Sequence, residues 1–255
     1  MPIQIITSRP SNVKAIAFDW DDTIFTGMRH WATIQTEIIA NMWSHGGRPT
    51  PETVKSAGMF VHATKGLTDK ERFQVALDTM AQKKRPPHDA QYYANGYYRE
   101  IEEYVSSEMP KWRRNLDKYL VPGVIPMLDA ISHKGREKYV VTANHILVKL
   151  NMVEQLGLSG YFQGVYGQGS IEFPEFSKIG ALMALVQRHE GSGGKVAMIG
   201  DGKGDMRAAK AAGAYAIALS HDAKNWRELV DAGADAVLNN FYNNPAEILK
   251  GLNID

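Results

Sequence analysis

VKAIAFDWDDT, residues 13–23, joins a continuous apolar run to three acids, Asp19, Asp21 and Asp22. The run VKAIAF reads as a strand buried on both faces, the kind that parallel sheets contain. Like charges gathered this tightly behind a strand are either screened by solvent or balanced by something positive. The rest of the chain decides between these.

Downstream the pattern turns helical. Met28, Trp31, Ile34, Ile38 and Met42 recur at helical spacing and predict a helix to about Ser44. HGGRPTP then breaks it, with two glycines and two prolines. TDKERFQVALDTMAQKK predicts a second helix with Thr68 as N-cap, stopped by RPP. HDAQYYANGYYREIEEYVSSEM predicts a third, in which Tyr92, Tyr93, Tyr97 and Tyr98 are expected to pack internally. No strand is expected between residues 26 and 118.

After Pro122 and Gly123, helices and strands alternate. The strands are EKYVVTAN, YFQGVYG, KVAMIGD, AYAIAL and ADAVLN. The helices are VIPMLDAISHKG, HILVKLNMVEQLG, EFSKIGALMALVQRHE, MRAAKAAG, AKNWRELVDAG and PAEILKGL. In EFSKIGALMALVQRHE the expected apolar face is Ile179, Leu182, Met183 and Val186. EGSGGK, residues 190–195, reads as a turn. Such alternation implies right-handed crossovers and a doubly wound, mostly parallel α/β sheet of Rossmann-like type. The expected core is residues 1–25 with 119–255, and residues 26–118 form a helical insertion that leaves the core just behind the acids.

Bulk properties narrow the function. The 255 residues are 44% hydrophobic and 22% charged, as in ordinary globular proteins. Lys and Arg total 29 and Asp and Glu 28, a net charge of +1, so neither a nucleic-acid nor a membrane-binding surface is expected. The absence of cysteine excludes disulfides, thiolate metal sites and a cysteine nucleophile. MPIQIITSRP lacks the pattern of a signal peptide and no apolar run is long enough to span a bilayer, so a cytoplasmic protein is expected. Nothing in the sequence speaks for any oligomeric state.

Ligands of open parallel sheets bind at the carboxyl ends of the strands. Those ends carry Asp19, Asp21 and Asp22 on the first strand, Thr142 and Asn144 on the next, and Asp201 of GDGKGD, with Asp205 four residues on. Asp19 and Asp21, two apart, face the same way if the chain stays extended, and with Asp201 they would bring three carboxylates to one edge. A hard divalent cation such as Mg²⁺ would resolve that repulsion. Taken alone, DWDD is equally well read as a helix cap and GDGKGD as a glycine-rich turn. Both at strand ends of one alternating core are harder to explain that way. Lys178 falls in a first helical turn, where the helix dipole disfavours a cation, and reads either as solvated or as a charge that offsets the acids and grips an anion. Thr142 is either bonded to backbone or a donor to a phosphoryl oxygen. Asn144 is read as the N-cap of the following helix, His145 as a first-turn residue without a task, and Lys203 as a solvated loop charge.

In this order, FDWDDTI, VVTAN, Lys178 and MIGDGKGDM resemble the four motifs of the haloacid dehalogenase superfamily of phosphohydrolases, across the whole core. The insertion resembles that family's alpha-helical cap, which would close over the site as a lid. Asp22 departs from the commonest form, where glycine is frequent. The resemblance implies Asp19 as nucleophile forming an aspartyl-phosphate, and Asp21 as the acid and base for leaving group and water. It implies Mg²⁺ held by Asp19, the backbone carbonyl of Asp21 and Asp201, with Asp205 as a further carboxylate. Thr142 would bind phosphoryl oxygens, and Lys178 would steady Asp19 and the phosphoryl group. Dehalogenases of this superfamily lack the acid at Asp21, so a small phosphorylated metabolite is the expected partner. A sugar phosphomutase keeps that acid and stays open, as does a catalytically silent binding module with the same fold. A dinucleotide turn at GDGKGD fits less well, because its acids would repel a pyrophosphate. Arg48, Lys65 and Arg85 in the insertion are candidate substrate contacts or solvated charges.

Overall fold

The computed structural model describes residues 3–7, 10, 12–28, 30–45, 47–64, 67–80, 88–173, 175–190, 195–220, 222–241 and 245–254. They divide into two compact units, residues 1–27 with 111–255, and residues 28–110.

The first unit is built on a sheet of seven strands: β1 (Ile3–Ile5), β2 (Val13–Phe18), β3 (Glu137–His145), β4 (Gly164–Gln168), β5 (Lys195–Gly200), β6 (Tyr215–Leu219) and β7 (Ala236–Leu238). Their order is β1-β7-β6-β5-β2-β3-β4. All pairs are parallel except β1 with β7. The strand order reverses beside β2, which lies between β3 and β5. This is the doubly wound α/β architecture read from the alternation. β1 was not expected; it is three residues long and forms an antiparallel edge.

The helices of this unit are α5 (Leu116–Tyr119), α6 (Val124–His133), α7 (Ile146–Gln155), α8 (Lys178–Glu190), α9 (Lys203–Ala212), α10 (Ala223–Asp231) and α11 (Pro245–Gly251). Ala15 and Ala17 of β2 and Val196 and Met198 of β5 pack with Leu182 and Leu185 of α8 and Met206 and Ala209 of α9. Ile16, Phe18 and Ile199, on the alternate positions, are also fully buried. Both faces are therefore covered, which is why these strands read as unbroken apolar runs. The inner face of α8 is Ala181, Leu182 and Leu185, with Val186 packed against it. Ile179 and Met183, expected on that face, are 41% and 44% exposed. Ile179 lies three positions before Leu182 and Met183 one after it, and apolar spacing alone does not say which flank of the helix meets the sheet.

The second unit is helical: α1 (Trp31–Trp43), α2 (Pro51–Ala63), α3 (Asp69–Asp78) and α4 (Ala90–Arg114) as far as Pro110. No strand occurs among its described residues. Thr68 caps α3 as expected, in a reciprocal capping box with Glu71. α2 was missed. Its start signal was present in HGGRPTP, where Thr50 accepts from the Thr53 amide and Pro51 takes the first helical position. Tyr97 is buried, but Tyr92 is 52% exposed and stacks on His88, so only part of the tyrosine set packs inward. A buried network ties α3 to α1 and to Thr64. Arg72 donates to Gln35, Asp69 and the Thr64 hydroxyl, and Gln35 donates to Asp69. Arg48 is exposed, whereas Lys65, Arg85, the RPP stop and residues 191–194 of EGSGGK lie outside the described residues.

Candidate active site

Two strand ends and the first turn of a helix meet where the sheet order reverses. β2 delivers Asp19, β5 delivers Asp201, and α9 returns Asp205 to the same place. One carboxylate oxygen from each lies within 4.8 Å of the others, and all three residues are buried. The expected trio was Asp19, Asp21 and Asp201. Asp205 takes the place of the Asp21 side chain because the chain does not stay extended after β2. The carbonyl of Trp20 accepts from the amides of Thr23, Ile24 and Phe25, closing a tight turn. Trp20 itself is buried and stacks on Phe25, which anchors that turn. Asp22 sits within it at φ 56°, in the left-handed region.

Asp205 lies in the first turn of α9, which begins at Lys203, earlier than the sequence indicated. Its Oδ2 accepts from the Gly202 amide at 3.0 Å. Gly200, at the end of β5, leaves room for it: a Cβ there would stand 2.5 Å from the Asp205 carboxyl carbon. Lys178, the first residue of α8, donates to Asp19 Oδ1 at 2.7 Å and to Asp205 Oδ1 at 2.5 Å. Burial opposes its charge, but Asp19 and Asp205 outweigh that and raise its pKa above the ordinary value. Burial raises the Asp205 pKa despite Lys178, with Asp19 adding to the rise. Three carboxylates against one ammonium leave the cluster short of positive charge. An all-oxygen, buried donor set of this kind suits a hard cation such as Mg²⁺.

Thr142 is buried within β3, and its hydroxyl oxygen accepts from the Asn144 amide at 3.3 Å. A hydroxyl accepting there keeps its O–H to donate elsewhere. β3 runs on through His145, so Asn144 is not the N-cap of α7. That position belongs to His145, which makes no side-chain cap. The Asn144 side chain instead donates to Asp21 Oδ2. Lys149 of α7 donates to both Asp21 oxygens, at 2.9 and 3.0 Å. Burial raises the Asp21 pKa, Lys149 pulls against it, and Asp19 adds to the rise. Lys203 lies at the start of α9, exposed, with its ammonium on Glu228 at 3.0 Å.

Lys149 was not singled out from the sequence, yet a signal was there. It occupies the buried stripe of α7 with Ile146, Met152 and Val153, where an aliphatic residue is the rule.

The model of a family described as haloacid dehalogenase-like hydrolase matches residues 13–213. No curated protein matches the sequence. Among solved structures, a predicted phosphatase from Clostridium acetobutylicum is similar at 19% identity and TM-score 0.62, covering 94% of this chain and 100% of its own. A predicted phosphoglycolate phosphatase from Haemophilus somnus is 18% identical with TM-score 0.63, over 93% and 97% of the two chains. A β-phosphoglucomutase from Clostridium difficile is 16% identical with TM-score 0.63, over 94% and 97%. At these identities the likeness is one of fold. Among the described residues, no helix is long and apolar enough to cross a membrane.

Proposed function

The chain belongs to the haloacid dehalogenase-like hydrolases, and on that premise we propose that it is a Mg²⁺-dependent phosphatase of a small phosphate monoester, working through an aspartyl-phosphate on Asp19. The observation that carries this reading is the buried cluster of Asp19, Asp201 and Asp205 with Lys178 bonded to two of its members.

Asp19, Asp201 and Asp205, with the backbone carbonyl of Asp21, would hold the cation. Bound there, Mg²⁺ supplies charge that offsets both the nucleophile and the phosphoryl oxygens. Asp19 attacks phosphorus, and the ester P–O bond breaks. Asp21 gives its proton to the departing alkoxide, then takes one from the water that attacks the aspartyl-phosphate. The P–O bond to Asp19 breaks, and inorganic phosphate leaves. Lys178 keeps Asp19 oriented throughout, and Thr142 donates to a phosphoryl oxygen.

Turnover of p-nitrophenyl phosphate with Mg²⁺, abolished by Asp19→Asn, is the expected result. Full activity of that variant sinks the reading. A second reading, a sugar phosphomutase, is favoured by the fold likeness to a β-phosphoglucomutase and by Asp21. It predicts isomerisation of a sugar phosphate faster than release of free phosphate.

A further inference from the structure

Lys149 is a buried cation without a part in the chemistry above. Its residue is 0% exposed, in the apolar stripe of α7. An ammonium at such depth is strongly unfavourable unless it is paired, and its pair is Asp21. It bonds both oxygens of that carboxylate, and the ring of Trp20 lies 6.0 Å from it. Asn144 adds a donor to Oδ2. A carboxylate offers about four acceptor sites. Lys149 takes one on each oxygen and Asn144 a second on Oδ2, so the open site is on Oδ1.

We propose that Lys149 and Asn144 are positioning residues that grip the Asp21 carboxylate by three acceptor sites and leave Oδ1 to carry the proton that Asp21 shuttles. The proposal rests on the phosphatase reading. Lys149 touches neither the phosphoryl group nor the leaving group, and acts only through Asp21. In the first step the Oδ1 proton goes to the ester oxygen as its bond to phosphorus breaks. In the second, Oδ1 takes a proton from water as the bond from phosphorus to Asp19 breaks. With the grip removed, both proton transfers suffer while substrate binding does not.

p-Nitrophenolate leaves without needing a proton, so this probe separates the two steps. The experiment is rapid mixing of p-nitrophenyl phosphate and Mg²⁺ with unmodified protein, Lys149→Met and Asn144→Ala, followed by acid quench and intact mass. For Lys149→Met we expect a stoichiometric burst of p-nitrophenolate, then a steady rate lowered about 10–100-fold, a part of what general acid–base catalysis contributes, with KM no higher than that of the unmodified protein. The quenched variant carries one added phosphoryl group. Asn144→Ala, which removes no buried charge, shows the same pattern more weakly, and it decides the matter if Lys149→Met does not fold. Unchanged steady rates in the variants that fold, or a raised KM without a burst or phosphoryl adduct, overturn the proposal alone. Unmodified protein that releases no p-nitrophenolate overturns the phosphatase reading and this one with it.

Discussion

Asp22 shows how much a single residue can hide. Its charge drew it into the acidic group, but its position in the fold is set by φ 56° within the turn behind β2. Asp and Asn tolerate that region and glycine occupies it freely, whereas a β-branched residue is strained there. Asp22→Gly is therefore expected to change stability by less than about 1 kcal/mol, and Asp22→Val to lower it by about 1–2 kcal/mol, measured by urea denaturation. Gly200 is the reverse case, a small residue demanded by a carboxylate. Gly200→Ala forces the Asp205 carboxyl aside. The Mg²⁺ concentration for half-maximal activity is then expected to rise about 10–100-fold, as when a support of a metal site is lost. At this scale the meeting of Asp19 and Asp201 was legible because both follow strand ends, whereas Lys178 and Asp205, in the first turns of α8 and α9, entered through the resemblance of their motifs. The partners of Asp21 were not legible, because Asn144 has the look of a helix cap and a lysine in an apolar stripe does not name the carboxylate it meets.

Elements were legible in proportion to their length and regularity. β2 was read to the residue, since six consecutive apolar-rich positions admit one interpretation in an alternating chain. β1 has three residues and α2 begins inside a glycine- and proline-rich stretch, so the local signals that mark them were weak or looked like a break. α4 carries Pro110 in its interior, where the ring removes an amide and crowds the carbonyl of Ser106. Pro110→Ala is expected to stabilise the helix by about 1–3 kcal/mol, seen as stronger hydrogen-exchange protection near residues 106–114. β3 offers a test in alkali. Burial, with the hydrogen bond to Glu137, pushes the Tyr139 hydroxyl from 10.0 up to about 12. A raised phenol pKa contributes stability that is complete below the unfolded value and lost as pH climbs through the folded one. The unmodified protein should therefore lose more stability between pH 10 and about 12 than Tyr139→Phe does, as followed by urea midpoints.

Across the whole molecule, the alternation of strands and helices carried the fold, because a parallel sheet covered on both faces has few other ways to be written. The packing of individual helices was less visible, as Ile179 and Met183 show. The charge imbalance of the cluster has a global readout. A cation that binds the folded state at about 100 times its Kd adds about 2.7 kcal/mol of stability. Mg²⁺ is therefore expected to raise the melting temperature by several degrees, EDTA to reverse the shift, and Asp201→Asn to abolish it. The pairing of β2 has a consequence in time. Ala15 meets Glu137 on one side and Val196 on the other. At a synthesis rate of roughly 5–20 residues per second, VKAIAF leaves the ribosome roughly 10–40 s before its second neighbour exists. Until β3 emerges that apolar segment has both edges open, and from then until β5 emerges it still has one. The nascent chain is thus most open to aggregation, and most in need of a chaperone, until β5 emerges.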